Sequence, residues 1–109
     1  MPNKILIVDD EDGVRSILSL SLRAVGYEVM TAADAQEALV EVAGGRPEIV
    51  LADIKMPGMD GIELLRRIKE EDADTEVIMM TGHADLDLAV KSLQYDAADF
   101  ITKPINYMA

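Results

Sequence analysis

Three short, unbroken apolar runs occur in this chain: Ile5-Leu6-Ile7-Val8, Ile49-Val50-Leu51-Ala52 and Val77-Ile78-Met79-Met80. A fourth stretch follows around Phe100-Ile101. Runs that are apolar throughout, instead of alternating, belong to strands covered on both faces. Between them lie segments with helical spacing, and strands that alternate with helices build a parallel sheet wrapped on both sides. Few other architectures accept this pattern, so it fixes the class as α/β, doubly wound. Glu28-Val29-Met30-Thr31-Ala32 is a shorter, more polar run, suited to a sheet edge.

The intervening segments carry their own boundaries. Val14, Ile17, Leu18, Ser21, Leu22 and Val25 recur with helical period after the acidic start Glu11-Asp12, and Gly26 closes that helix. Asp34 is placed to cap a second helix bearing Ala35, Ala38, Leu39 and Val42, which Gly44-Gly45 is expected to end. Asp60 caps a third, with Gly61, Leu64, Leu65 and Ile68 on one face. A fourth is expected to present Leu86, Ala89, Val90 and Leu93. At 109 residues this is one domain, spanning 1–109.

In open parallel sheets, ligands bind beyond the carboxyl ends of the strands, where strand order reverses. Four polar groups stand at such ends: the pair Asp9-Asp10, then Asp53, Thr81 and Lys103. Crowded carboxylates repel by about 4 kcal/mol per close pair at an effective dielectric near 20, so a cluster of them calls for a cation. Oxygen donors without nearby His or Cys select a hard ion, Mg²⁺ by preference. An ionised Asp53 is itself a nucleophile for phosphorus, Lys103 offers a positive charge, and Thr81 offers a hydroxyl donor. Each residue alone has a plainer reading: Asp9-Asp10-Glu11-Asp12 as helix-start chemistry, Thr81 as a turn residue, Phe100 as core.

Charge and composition remove other classes. The net charge of −11, from 10 basic and 21 acidic residues, disfavours direct contact with nucleic acid or an anionic membrane. There is no cysteine, hence neither a disulfide framework nor a thiolate metal site. No stretch approaches a membrane span, and the N-terminal apolar run is too short for a signal peptide; a cytoplasmic location is expected.

Taken in order, Ile-Leu-Ile-Val-Asp-Asp at 5–10, Asp53 with Met56-Pro57-Gly58-Met59-Asp60-Gly61, Met80-Thr81-Gly82 and Phe100-Ile101-Thr102-Lys103-Pro104 resemble the receiver domain of bacterial two-component response regulators. The resemblance runs over essentially the whole chain. It implies a flavodoxin-like five-stranded sheet of order 2-1-3-4-5, and a signalling switch in which Asp53 accepts a phosphoryl group from a histidine kinase or phosphotransfer protein. It further implies that Asp10, Asp53 and the backbone carbonyl of Lys55 hold Mg²⁺, with Asp9 acting through water. Thr81 and Phe100 would form the switch pair, and the Lys103–Pro104 bond would be cis. The output would be an attached domain or a partner protein, and a dimer is compatible with this. Such a domain is a phosphoacceptor, not a conventional enzyme.

Three features depart from or extend the resemblance. Asp96 stands where the family usually has Gly. Lys55 and His83 occupy positions at which the family tunes hydrolysis of its acyl phosphate, His83 being read as an exposed loop residue. Only five residues follow Pro104, so a fifth helix is expected to be missing and the chain to be cut from a longer regulator or hybrid kinase, with a partner covering the open face. Two rivals remain. A metal-dependent phosphatase of haloacid-dehalogenase type would want an acid where Lys55 stands. A flavodoxin-like mononucleotide binder would want a phosphate cradle where Asp9-Asp10-Glu11-Asp12 stands.

Overall fold

The computed structural model describes residues 3–103, the side chain of His83 excepted. The expected cis bond at Lys103–Pro104, the segment expected to lack a fifth helix and the exposure of His83 lie outside what is described. Strands β1 (Lys4–Val8), β2 (Glu28–Ala32), β3 (Ile49–Asp53), β4 (Glu76–Thr81) and β5 (Asp99–Thr102) form one parallel sheet of order β2-β1-β3-β4-β5. The polar β2 takes an edge, as its composition requires. Helices α1 (Asp12–Ala24), α2 (Ala35–Gly45), α3 (Gly61–Glu71) and α4 (Leu86–Leu93) connect consecutive strands. A short 3₁₀ turn at His83–Asp85 precedes α4.

The two-residue period of the strands divides the core. Leu6, Val8, Val50, Ala52, Val77 and Met79 face one side, against Ala38 and Val42 of α2, Leu64, Leu65 and Ile68 of α3 and Ala89 of α4. Ile5, Ile7, Leu51 and Met80 face the other, against Leu18 of α1. On that second side Ile49, Ile78 and Ile101 are only partly buried. The expected caps form: Asp34 accepts from the Glu37 amide at 2.8 Å, and Asp60 from the Glu63 amide at 2.9 Å.

Three expectations about helices need correction. Gly44 and Gly45 do not end α2; it runs through both, and the left-handed residue beyond it is Arg46, at φ 48°. Gly45 instead serves packing, because a Cβ there would collide with the Met30 side chain. In α4 the buried residues are Ala89 and Ser92, whereas Leu86, Val90 and Leu93 are 38%, 54% and 42% exposed. Small residues bring α4 close to the sheet, and the Ser92 hydroxyl is satisfied by donating to the Ala89 carbonyl at 2.6 Å. In α1, Leu18 is buried with Val14 and Leu22 partly so, while Ile17 and Val25 at the margins of the stripe are exposed.

Candidate functional site

The sheet delivers four chain segments to one end. β1 and β3 are neighbours, and the strands that follow each lie on opposite sides, so the crevice opens between the ends of these two. Asp9 directly follows β1, and Asp53 is the last residue of β3. Thr81 ends β4, and Lys103 follows β5 with its amide donating to the Thr81 carbonyl at 2.7 Å. The close seat of α3 brings the β3–α3 connection tight against the site. Gly61 donates its amide to the Ile54 carbonyl at 2.8 Å, and a Cβ on Gly61 would strike the Asp53 carbonyl oxygen.

Lys103 is the hinge of the arrangement. Its ammonium donates to Asp9 Oδ2 at 2.7 Å and to Asp53 Oδ2 at 3.2 Å, with Glu11 Oε1 at 3.9 Å. The remaining oxygens are held by the backbone: Asp9 Oδ1 accepts from the Glu11 amide at 2.9 Å and Asp53 Oδ1 from the Lys55 amide at 3.3 Å. Asp9 and Asp53 are buried, whereas Asp10 is exposed. One carboxylate oxygen from each of Asp9, Asp10 and Asp53 lies within 4.8 Å of the others. Hard oxygen donors at that separation, open to solvent on the Asp10 side, fit a divalent cation that keeps part of its water.

The electrostatics are unequal. Burial, reinforced by the charge of Asp9, lifts the Asp53 carboxyl above its ordinary value, and the partly offsetting attraction of Lys103 does not cancel this. Lys103 is lifted too: burial alone would depress it, but its hydrogen bond to Asp9 and the two carboxylate charges outweigh burial. The directions agree with the geometry, since the ammonium lies nearer Asp9 and leaves Asp53 the less compensated acid.

Thr81 is buried, and its hydroxyl donates to the Gly82 carbonyl at 3.1 Å, not to the acid cluster. Phe100 is half-buried and packs on the α4 side of the sheet. Sequence reasoning missed two further contacts. The Lys55 ammonium pairs with Asp85 Oδ1 at 3.1 Å, tying the loop after β3 to the residue before α4. Arg15 donates from Nη1 to the Asp9 carbonyl at 2.6 Å. The Asp12-to-Arg15 spacing of a helical ion pair was the only sequence signal for the second, and nothing local signalled the first.

The profile of the family described as response regulator receiver domain matches residues 5–108. The chain belongs to that family. Similar curated proteins include the regulatory protein AtoC of Escherichia coli K12, 42% identical over 104 residues, which are 95% of this chain and 23% of that protein. Sporulation initiation phosphotransferase F of Bacillus subtilis 168 is 42% identical over 106 residues, 97% of this chain and 86% of its own length. Among solved structures, NtrX from Brucella abortus superposes with a TM-score of 0.93 at 37% identity, over 98% of this chain and 24% of that one. The receiver thus spans about a quarter of the length of several relatives it matches. Membership sets aside the phosphatase and mononucleotide-binder rivals, and the receiver is a phosphorylation-dependent signalling switch. Among the described residues no helix is long and apolar enough to cross a membrane.

Proposed function

We propose that Asp53 is the phosphoacceptor of this receiver, and that its partners are a histidine kinase or phosphotransfer protein upstream and an output domain or partner protein downstream. The observation that carries the reading is the Lys103 ammonium shared between Asp9 and Asp53, which joins residues separated by 94 and 50 positions at the ends of β1 and β3. An Asp53 carboxylate oxygen attacks the phosphorus of a phosphohistidine, the P–N bond breaks, and the imidazole departs with the electron pair. The acid needs no general base, because it reacts as the anion. Lys103 can follow the incoming phosphoryl oxygens, its flexible stem allowing the ammonium to shift from Asp53 to the new group.

The donor set supports Mg²⁺ held by Asp10, Asp53 and the Lys55 carbonyl, with Asp9 through water. Bound there, the ion supplies charge neutralisation to the acids and to the transferring phosphoryl oxygens. Thr81 can release the Gly82 carbonyl and donate to a phosphoryl oxygen instead, a rotation about one bond. The volume vacated by its hydroxyl and the half-buried ring of Phe100 make these two residues the switch pair, coupling Asp53 to the surface of α4 and β5. The relatives' greater length supports placing residues 1–109 as the receiver unit of a longer regulator.

The test is incubation with acetyl phosphate and Mg²⁺, followed by intact-mass spectrometry. One phosphoryl group that hydroxylamine removes is expected on wild type and none on Asp53→Asn. Undiminished labelling of the variant would reject the assignment.

A further inference from the structure

The loop that carries Asp9 and Asp10 is not fastened as the entries of α2 and α3 are. Asp34 and Asp60 cap α2 and α3 through their carboxylates, but Glu11, at the same position of α1, makes no side-chain capping bond. Arg15, one turn further on, fastens the loop in another way, by donating to its main chain. Its Nη1 donates to the Asp9 carbonyl at 2.6 Å, and its Nη2 pairs with the Asp12 carboxylate. The Arg15 side chain is only 18% exposed, although its Asp12 partner is 90% exposed. A surface pair of that spacing is worth a few tenths of a kcal/mol and would not by itself draw an arginine inward.

We propose that Arg15 is a positioning residue for the cation site, holding the Asp9–Asp12 backbone so that Asp9 and Asp10 face Asp53. The inference rests on the metal-assisted phosphoacceptor reading above. Arg15 grips the Asp9 main chain and leaves the Asp9 carboxylate to Lys103 and the Glu11 amide. It therefore sets the direction of that carboxylate without competing for it. An arginine suits this role because its planar fork reaches the Asp9 carbonyl and the Asp12 carboxylate with two nitrogens fixed relative to each other, a geometry that the point charge of a lysine does not reproduce. Groups that orient metal-binding residues from behind change metal affinity by about 10- to 100-fold when removed.

The experiment titrates Mg²⁺ into wild type, Arg15→Ala, Arg15→Lys and Asp12→Ala by calorimetry, with amide NMR spectra and cation-free melting curves alongside. Arg15→Ala is expected to bind at least about tenfold more weakly. Arg15→Lys, keeping one donor for the Asp9 carbonyl, is expected to recover part of that loss. Asp12→Ala, which spares the carbonyl bond, is expected to stay within about threefold of wild type. Mg²⁺-induced amide shifts at 9–12 should shrink in Arg15→Ala even where its melting curve is unchanged, which a purely structural role would not produce. Should Arg15→Ala fold poorly, Arg15→Met, which keeps the apolar stem and removes every donor, decides, and wild-type affinity in it overturns the proposal. Wild-type affinity in Arg15→Ala also overturns it, while the cation reading survives. Failure of the wild type to take up Mg²⁺ would sink that reading and this inference together.

Discussion

Asp96→Gly should stabilise this receiver, and the protein supplies its own reference. Two helices end in the same arrangement of hydrogen bonds. After α1, the Gly26 amide donates to Arg23 at 3.0 Å and the Tyr27 amide to Leu22 at 3.2 Å; after α4, the Asp96 amide donates to Leu93 and the Ala97 amide to Ser92, both at 3.2 Å. This crossed pair requires one residue in the left-handed region. Gly26 meets the requirement at φ 103°, but Asp96 must do so at φ 71°. A left-handed L-residue costs about 1–2 kcal/mol, aspartate toward the lower end. A negative charge at a helix C-terminus adds roughly 0.3 kcal/mol or more. Against these, glycine adds unfolded-state entropy of roughly 0.5–1 kcal/mol. Asp96 is exposed, so little burial is lost. The net gain is about 0.5–1 kcal/mol, or roughly 2–8 °C in Tm for a domain of this size. Urea unfolding followed by far-ultraviolet circular dichroism measures it, with an unchanged slope. Asp96→Asn separates the contributions, since it removes the charge but keeps the left-handed side chain; it should recover less than half of the gain. If Asp96→Gly proves no more stable than wild type, or Asp96→Ala matches it, the backbone argument is wrong.

Gly61→Ala should cost about 1–3 kcal/mol, because its Cβ would meet Ile54 Cα at 2.7 Å and Met79 Cε at 2.9 Å as well as the Asp53 carbonyl oxygen. Wild-type stability in urea would show that α3 can retreat freely. Lys103→Met should lose roughly 2–4 kcal/mol in cation-free buffer, since it leaves the buried Asp9 and Asp53 side chains without their ammonium partner; added Mg²⁺ should return part of it, and a melting curve indifferent to Mg²⁺ would contradict this. For Asp53, whose folded value is raised, the native state binds the proton more tightly, so stability falls as pH rises from the ordinary 3.8 through the folded value. Asp53→Asn should therefore melt higher than wild type at neutral pH without cation, an advantage that disappears below that window. Lys103, raised above 10.5, contributes stability that is complete below that pH and lost as pH climbs through its folded value; wild type should lose stability there more steeply than Lys103→Met.

The strands β1, β3 and β4 were legible because their burial leaves no polar residue inside the runs, and α2 and α3 because Asp34 and Asp60 announce their starts. Asp9, Asp53, Thr81 and Lys103 were legible as strand-end residues, which a parallel sheet must bring to one side. What escaped depends on geometry between elements. The inward face of α4 went to Ala89 and Ser92 because closeness of approach outweighed side-chain hydrophobicity. The left-handed turn after α2 fell to Arg46 because Gly45 was already committed against Met30. The Lys55–Asp85 pair joins two loops separated by a strand and a helix, and the grip of Arg15 on Asp9 is a backbone contact that no residue pattern encodes.

The ammonium that spans Asp9 and Asp53 arrives just after β5, the last of the five strands of this sheet in chain order. A nascent chain that has already emerged through β4 would own its acids but not the clasp that reconciles them. Competence to receive a signal would then be withheld until all five strands of the sheet have emerged, a check on assembly before the acids can be addressed.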